Sequence, residues 1–452
     1  MDMTLLEERD ALAVERLTSI TKEHTAQEPF GEYFRKTASF VIKMDALYKE
    51  IRQGKTKHYT LEQWQKQNKS LYEDILPENY AHSYGNPQYA VAELGEIHGR
   101  ILSFLYTELY ALIPYTFEQR LEEKVILQEL LIEVYNCFEG EELPGYRRIQ
   151  QILYWFESDY SEITVAHRIR EAVDPTLDFA VKIVMESDLT DLRYLYQYGE
   201  YITENEQKMA EFMNHLDEET IEKMADTFTE GYRIGFVLGG KDLSKKQTVN
   251  IRYQIGFERM VRKAICNFEK MGLKPIIYRA AAERINRKGV HRIGYYGAVP
   301  NRQFDYDHRA DQAVYLDKAF MERRLGVMRS AYETYKTLAK GHAGPACIDT
   351  FGETEFYPQA KKEAYYLSDK QKKFQTQMDN EAVQITNRYI IGKERSFTII
   401  AFPVPEIGAQ FEEIFRETIR INTLDYQLYA DIQQKMIDAD VLVLASPVYF
   451  YS

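Results

Sequence analysis

Cysteines are scarce in this sequence and long hydrophobic runs are missing, which excludes several classes of protein. Only Cys137, Cys266 and Cys347 occur in 452 residues, far apart and odd in number. This usage excludes a disulfide-stapled scaffold and a zinc knuckle, and it predicts reduced thiols in a cytoplasmic protein. Because no apolar run reaches about eighteen residues, the sequence predicts no transmembrane helix. The net charge of −13 argues against an anionic membrane as the main partner.

The motifs of several common enzyme classes are missing as well. The sequence has no H-E-x-x-H, the helical zinc-protease motif, and no G-x-S-x-G nucleophile turn. Residues 235–241 (GFVLGGK) nearly fit a phosphate-binding loop, but Asp242 stands where a serine or threonine hydroxyl would bind magnesium. A helical pattern precedes this loop and a strand pattern follows it, which is the reverse of the required order. We therefore interpret it as a turn that ends a helix.

Acidic residues outnumber basic ones, but one segment reverses the balance. The net charge of −13 argues against nucleic acid as the main partner. Residues 241–300 nevertheless carry 14 Lys and Arg against 4 Asp and Glu. Two interpretations remain open: a basic face that is solvated or docked on the acidic remainder of the chain, or an anion-binding surface.

Helical periodicity dominates the first half of the chain. Residues 1–240 are predicted to form an all-helical domain, in which Leu94, Ile97 and Ile101 share one apolar face. Asp174 and Pro175 have the residue types of an N-cap and a first helical position, so they predict a helix start.

Near residue 245 the period changes from helix to strand. Short apolar runs at 248–253, 274–278, 292–298, 346–350 and 397–402 alternate with helical patterns. Strands that alternate with helices form parallel sheets. The predicted fold class is therefore α + α/β, with an α/β domain over residues 245–440, a boundary at 239–246 and a last strand at 441–445.

One short stretch concentrates possible metal ligands. Asp305, Asp307, His308 and Asp311 occur within FDYDHRAD, and hard cations prefer such oxygen ligands. The stretch lacks the glycine of a calcium loop, and clustered aspartates also occur in solvated turns. Asp305, Asp307 and His308 are therefore candidate metal ligands, with a solvated turn as the alternative.

Several phrases of the sequence together resemble one family. They are TVNIRYQIGFERMVRKAI, GLKPIIYRAA, RIGYYGAVPNRQFDYDH and RSFTIIAFPVPEIGAQFEEIFRETIRINTLDYQLYADIQQKMIDA. They are similar to long clostridial-type members of the aminopeptidase T family, often labelled leucyl aminopeptidases, and the resemblance extends over about residues 5–438.

The resemblance implies a homodimeric metallo-aminopeptidase that removes N-terminal residues from peptides. In the family, an N-terminal α/β domain precedes a catalytic domain in which Glu, His and Asp hold two divalent metal ions, zinc, cobalt or manganese. Two such ions polarise the peptide carbonyl and generate hydroxide. None of those ligand segments has a match here, so we expect an incomplete peptidase whose α/β domain is truncated before the dimetal domain.

The last residues resemble a different family. DADVLVLASPVYFYS is similar to the third strand and following loop of flavodoxin-like NAD(P)H-dependent FMN reductases. The resemblance implies that Ser446, Pro447 and Tyr449 would contact FMN, with 441–452 as a strand-and-loop fragment added by a gene join. Two alternatives to the peptidase therefore stay open: an FMN reductase fragment and a non-catalytic helical binding module.

Overall fold

The computed structural model describes residues 3–281 and 293–423. Up to residue 238 the described chain is helical, with short 3₁₀ turns between helices. None of the helices in the described ranges is long and apolar enough to cross a bilayer. The helices of this first region are α1 (Met3–Ile20), α2 (Phe30–Arg52), α3 (Leu61–Tyr72), α4 (Pro87–Leu109), α5 (Leu112–Phe117), α6 (Leu121–Asn136), α7 (Tyr146–Asp159), α8 (Ser161–Val173), α9 (Phe179–Glu186), α10 (Glu204–His215) and α11 (Glu218–Leu238).

Two local sequence patterns predict structure that the chain does not form. Gly95 has a φ of 76° and breaks α4, so the apolar face restarts beyond it and Ile97 is exposed while Leu94 and Ile101 are buried. Asp174 does not start a helix: it ends α8, and its Oδ1 accepts hydrogen bonds from Thr176 in a local turn. The next helix, α9, begins only at residue 179.

Strands and helices alternate in the remaining described chain. The elements are β1 (Thr248–Gln254), α12 (Glu258–Lys270), β2 (Lys274–Ile276), β3 (Tyr295–Tyr296), α13 (Arg302–Asp307), α14 (Lys318–Thr334), α15 (Lys336–Lys340), β4 (His342–Phe351), α16 (Asp369–Tyr389), β5 (Thr398–Pro403) and α17 (Phe411–Asn422). The five predicted strands are present with shifted ends, although residue 292 lies outside the described chain. The predicted strand at 441–445 also lies outside it.

All strands of the sheet are parallel, in the order β2-β1-β4-β5, and β3 pairs with the end of β1. Nearly every residue of β1 is buried, as expected for a parallel strand covered on both faces. From β1 the chain passes through α12 to β2 on one side, and it later returns to β4 on the other side. The carboxyl ends of β1 and β4 therefore flank a point where the connections diverge, which is where α/β sheets bind ligands.

These elements confirm the predicted α + α/β class, with a helical region followed by a parallel sheet. One continuous hydrophobic core contains residues from both regions, including Met209 and Phe212 of α10 and Phe415 of α17. The rings of Phe212 and Phe415 lie 4.8 Å apart. The division at 239–246 stays a prediction.

The basic residues of α12 are docked on the acidic helical region. Arg259 Nη2 lies 2.8 Å from Glu218 Oε2, and Lys263 Nζ lies 2.6 Å from Glu218 Oε1. Arg262 donates to the backbone oxygens of Val184 and Ser187. The docked interpretation of the basic segment therefore holds for this helix.

Candidate functional site: the strand-end cleft

A cleft of about 1500 Å³ opens at the carboxyl ends of β1 and β4. We call it the strand-end cleft. Its walls come from the loop after β3, from α13, α14 and α16, from the start of α10 and from the segment after β4. The residues that define it here are Asn205, Glu206, Gln254, Tyr296, Arg302, Asp305, Arg309, Asp311, Arg324, Glu353, Glu355, Phe356, Asp379 and Glu406.

Acidic side chains are in excess around this cleft. Seven carboxylates line it against three arginines, an excess of four negative charges if all are ionised. Clefts lined by one sign of charge concentrate ligands of the opposite sign. The strand-end cleft is therefore electrostatically suited to a cationic group. The carboxylates are those of Glu206, Asp305, Asp311, Glu353, Glu355, Asp379 and Glu406.

At the end of β1, the buried Gln254 belongs to the lining of the cleft. Its Nε2 donates to Glu206 Oε1 at 2.9 Å, which fixes the orientation of the amide. Glu206 is itself held by Thr203, whose backbone N–H and hydroxyl donate to Oε2 at 2.8 and 2.6 Å. Gln254 Oε1 is buried and has no hydrogen-bond partner among the described residues. Buried polar atoms are normally paired, so a donor on a ligand would satisfy this oxygen.

The segment after β4 forms the opposite wall. Gly352 turns the chain at a φ of +92°, and a Cβ there would lie 2.8 Å from the Ile407 side chain. Across this turn, the Thr350 hydroxyl of β4 donates to Glu353 Oε1 at 2.8 Å. Beyond it, the Thr354 backbone N–H donates to Glu406 Oε2 at 2.8 Å. No motif in the sequence singles out Glu353. Its position directly after a strand of a parallel sheet is the signal that could have found it.

The predicted metal ligands Asp305, Asp307 and His308 differ in burial and in their hydrogen-bond partners. Asp305 lines the cleft, whereas Asp307 is fully buried and already held on both oxygens. Tyr80 Oη and Lys361 Nζ each donate to Asp307 Oδ2 at 2.7 Å, and Gln303 Nε2 donates to Oδ1 at 2.7 Å. Asp307 is therefore the centre of a buried hydrogen-bond network.

His308 has both ring nitrogens engaged. Nδ1 lies 2.7 Å from Asp311 Oδ2, and Nε2 lies 2.6 Å from the backbone oxygen of Gly85. Within residues 3–281 and 293–423, no group of three or more His, Cys, Asp and Glu side chains is arranged to hold a metal ion. The described residues therefore do not fit a dimetal centre, and we derive no metal-dependent step from them.

Ser446, Pro447 and Tyr449, the predicted FMN contacts, lie outside the described residues. No protein-family model, no curated protein and no solved structure matches the chain.

Proposed function

We propose that the strand-end cleft binds peptides through their N-terminal ammonium group. The observation that carries this proposal is the combination of an acidic cleft with the unpaired, buried Oε1 of Gln254 at the carboxyl end of β1. An ammonium group is attracted by the carboxylate excess, and a peptide N–H can donate to the glutamine oxygen. This proposal agrees with the resemblance to aminopeptidases, whose substrates carry a free N-terminus.

In this proposal the chain contributes the peptide-binding region of a metallo-aminopeptidase-like protein. The wall residues Asp305 and Glu353 attract the ammonium group, Gln254 accepts from the peptide backbone, and Phe356 offers an apolar surface to a side chain. Zinc, cobalt or manganese would supply the hydroxide for hydrolysis in the family. We assign no hydrolytic step to the described residues, because their donor set does not fit such ions.

The direct test is binding of a peptide that carries a fluorophore at its C-terminus. We expect acetylation of its N-terminus to weaken binding about tenfold, or about 1.4 kcal/mol, because the cationic group is lost. The double variant Asp305→Asn/Glu353→Gln should weaken binding of the free peptide and bring it close to that of the acetylated one.

A matched control removes the same charge elsewhere. Glu413→Gln/Glu417→Gln alters two exposed carboxylates of α17, outside the cleft lining, and should leave both affinities unchanged. Equal binding of the free and acetylated peptides, or equal losses in the two double variants, would contradict the proposal.

The other expectations stay predictions with separate tests. A cytoplasmic setting is supported by three free thiols in the described chain, Cys137, Cys266 and Cys347. The FMN alternative is tested by flavin absorbance of the purified protein. Homodimer formation is tested by sedimentation.

A further inference from the structure

A second cavity of about 800 Å³ lies beside β2, at one lateral edge of the sheet. It lies among α3, α8, α9 and the end of β2. We call it the helical cavity. Tyr295 of β3 lines it, while the next residue, Tyr296, lines the strand-end cleft. Successive residues of a strand point to opposite faces, so the two cavities lie on different sides of β3. The helical cavity therefore needs its own explanation.

Part of the charged floor of this cavity is already paired. Arg168 Nη1 lies 3.1 Å from Glu171 Oε2, and His167 Nε2 lies 3.3 Å from Glu171 Oε1. Burial opposes ionisation of Glu171, but the contact with His167 and the charge of Arg168 outweigh it and lower the pKa of Glu171 to about 2. Glu171 is thus an ionised carboxylate whose partners belong to the protein.

Glu118, on the same floor, is paired much more loosely. Tyr295 Oη donates to its Oε1 at 3.2 Å. Arg120 Nη1 lies 3.6 Å from Oε2 and Arg279 Nη1 lies 3.9 Å from Oε1, both too long for hydrogen bonds. Burial is the main cause that raises the pKa of Glu118 above its usual range. A donor group placed at Oε2 would stabilise the ionised form of this carboxyl.

Two further features define what could be bound there. Arg120 and His167 share the floor with Glu118, so the floor presents both signs of charge. Arg120 also donates to Glu123 Oε1 through Nε and Nη2, at 2.9 and 2.7 Å, and His167 contacts Glu171. The remaining lining includes a large apolar and aromatic surface, formed by Trp64, Phe117, Phe179, Ile183, Tyr194 and Ile277. A zwitterion with an apolar side chain complements such a site better than an ion of one sign.

We propose that the helical cavity binds an α-amino acid with an apolar side chain. Its ammonium group donates to Glu118, its carboxylate faces Arg120 and His167, and its side chain packs on the aromatic lining. The proposal uses none of the residues assigned to peptide binding and does not depend on that function.

Calorimetric titration of the full chain with L-phenylalanine tests this proposal. Two analogues separate the charged groups: 3-phenylpropionate lacks the ammonium group and phenethylamine lacks the carboxylate. We expect L-phenylalanine to bind at least about tenfold more tightly than either analogue. Absence of binding, or equal affinities for the three compounds, would overturn the proposal.

The variant Glu118→Gln identifies the group that recognises the ammonium. It should weaken binding of L-phenylalanine about tenfold and leave binding of 3-phenylpropionate unchanged. Glu219→Gln, at an exposed residue of α11, is the matched control and should change neither affinity. Thermal unfolding monitors the fold of each variant, and if Glu118→Gln does not fold, the analogue series on the unaltered chain decides.

One more variant keeps the two proposals separate. Asp305→Asn/Glu353→Gln should bind L-phenylalanine as tightly as the unaltered chain, because both residues line the other cavity. If this variant loses L-phenylalanine, the amino acid binds in the strand-end cleft and the proposal for the helical cavity is wrong.

Discussion

A buried charge of the helical region and a buried carboxyl just after β1 are held in different ways. In the helical region, the fully buried Lys124 of α6 reaches Asp10 of α1 at 2.5 Å and Asp45 of α2 at 2.7 Å. In the sheet region, the fully buried Glu258 at the start of α12 accepts from neutral donors, the Gly256 N–H and the Tyr194 hydroxyl, both at 2.8 Å.

This difference follows from how the elements meet. Facing helices bring side chains of opposite charge together from distant parts of the sequence, so the charge of Lys124 is neutralised. Glu258 instead lies just after the turn that follows β1, where no side chain of opposite charge faces it in an ion pair among the described residues. Its Oε1 has no hydrogen-bond partner among those residues. We infer that the ion pairs of Lys124 mainly stabilise the fold, whereas the carboxyl of Glu258 responds to pH.

The largest effect is expected at Lys124. Lys124→Met removes the cation that Asp10 and Asp45 share, although Lys49 remains 2.6 Å from Asp45. Breaking a buried ion pair costs about 3 to 5 kcal/mol, because the remaining charge stays buried. Urea denaturation should show a loss of that size in the free energy of unfolding.

A compensated variant checks the cause of this loss. Lys124→Met/Asp10→Asn/Asp45→Asn removes all three charges and should recover most of the lost stability, since neutral groups replace unpaired ones. A loss under about 1 kcal/mol for Lys124→Met alone would contradict the role assigned to the ion pairs.

A somewhat smaller, pH-dependent effect is expected at Glu258. Burial outweighs its hydrogen bonds and raises the pKa of Glu258 to about 7, from 4.5 for an exposed glutamate. Because the pKa is higher in the folded state, protonation of Glu258 stabilises the fold. This contribution is complete below the pKa of the unfolded state and is lost as pH rises through the pKa of the folded state.

The variant Glu258→Gln isolates that contribution. The stability of the unaltered chain relative to the variant should fall by about 3 kcal/mol between about pH 4 and about pH 8. Denaturant unfolding at several pH values measures the difference, and pH-dependent contributions of other groups cancel in it. A difference that stays constant with pH would show that Glu258 titrates normally.

The sequence predicted the order of elements well because each element carries its own periodicity. It missed the kink at Gly95, where the backbone conformation rather than the hydrophobic pattern decides. The candidate site was harder to predict. Asp307 is adjacent to His308 in the sequence, but its partners Tyr80 and Lys361 lie 227 and 54 residues away.

The cleft could be predicted only in outline. Strand ends of a parallel sheet indicate the edge at which ligands bind, but the sequence does not state the strand order. The order places β1 beside β4, so that Gln254 and Glu353 line the same cleft. No local pattern in the sequence contains that information.

The central claim is that peptide N-termini bind at the strand-end cleft, and hydrogen exchange with and without peptide tests it most directly. The account predicts that a peptide with a free N-terminus protects residues 203–206, 296–306 and 352–358, while the acetylated peptide at the same concentration does not. The segment 176–193, which lines the helical cavity, should be unaffected. Protection of 176–193 with no change at 296–306 and 352–358, or equal protection by both peptides, would contradict the claim.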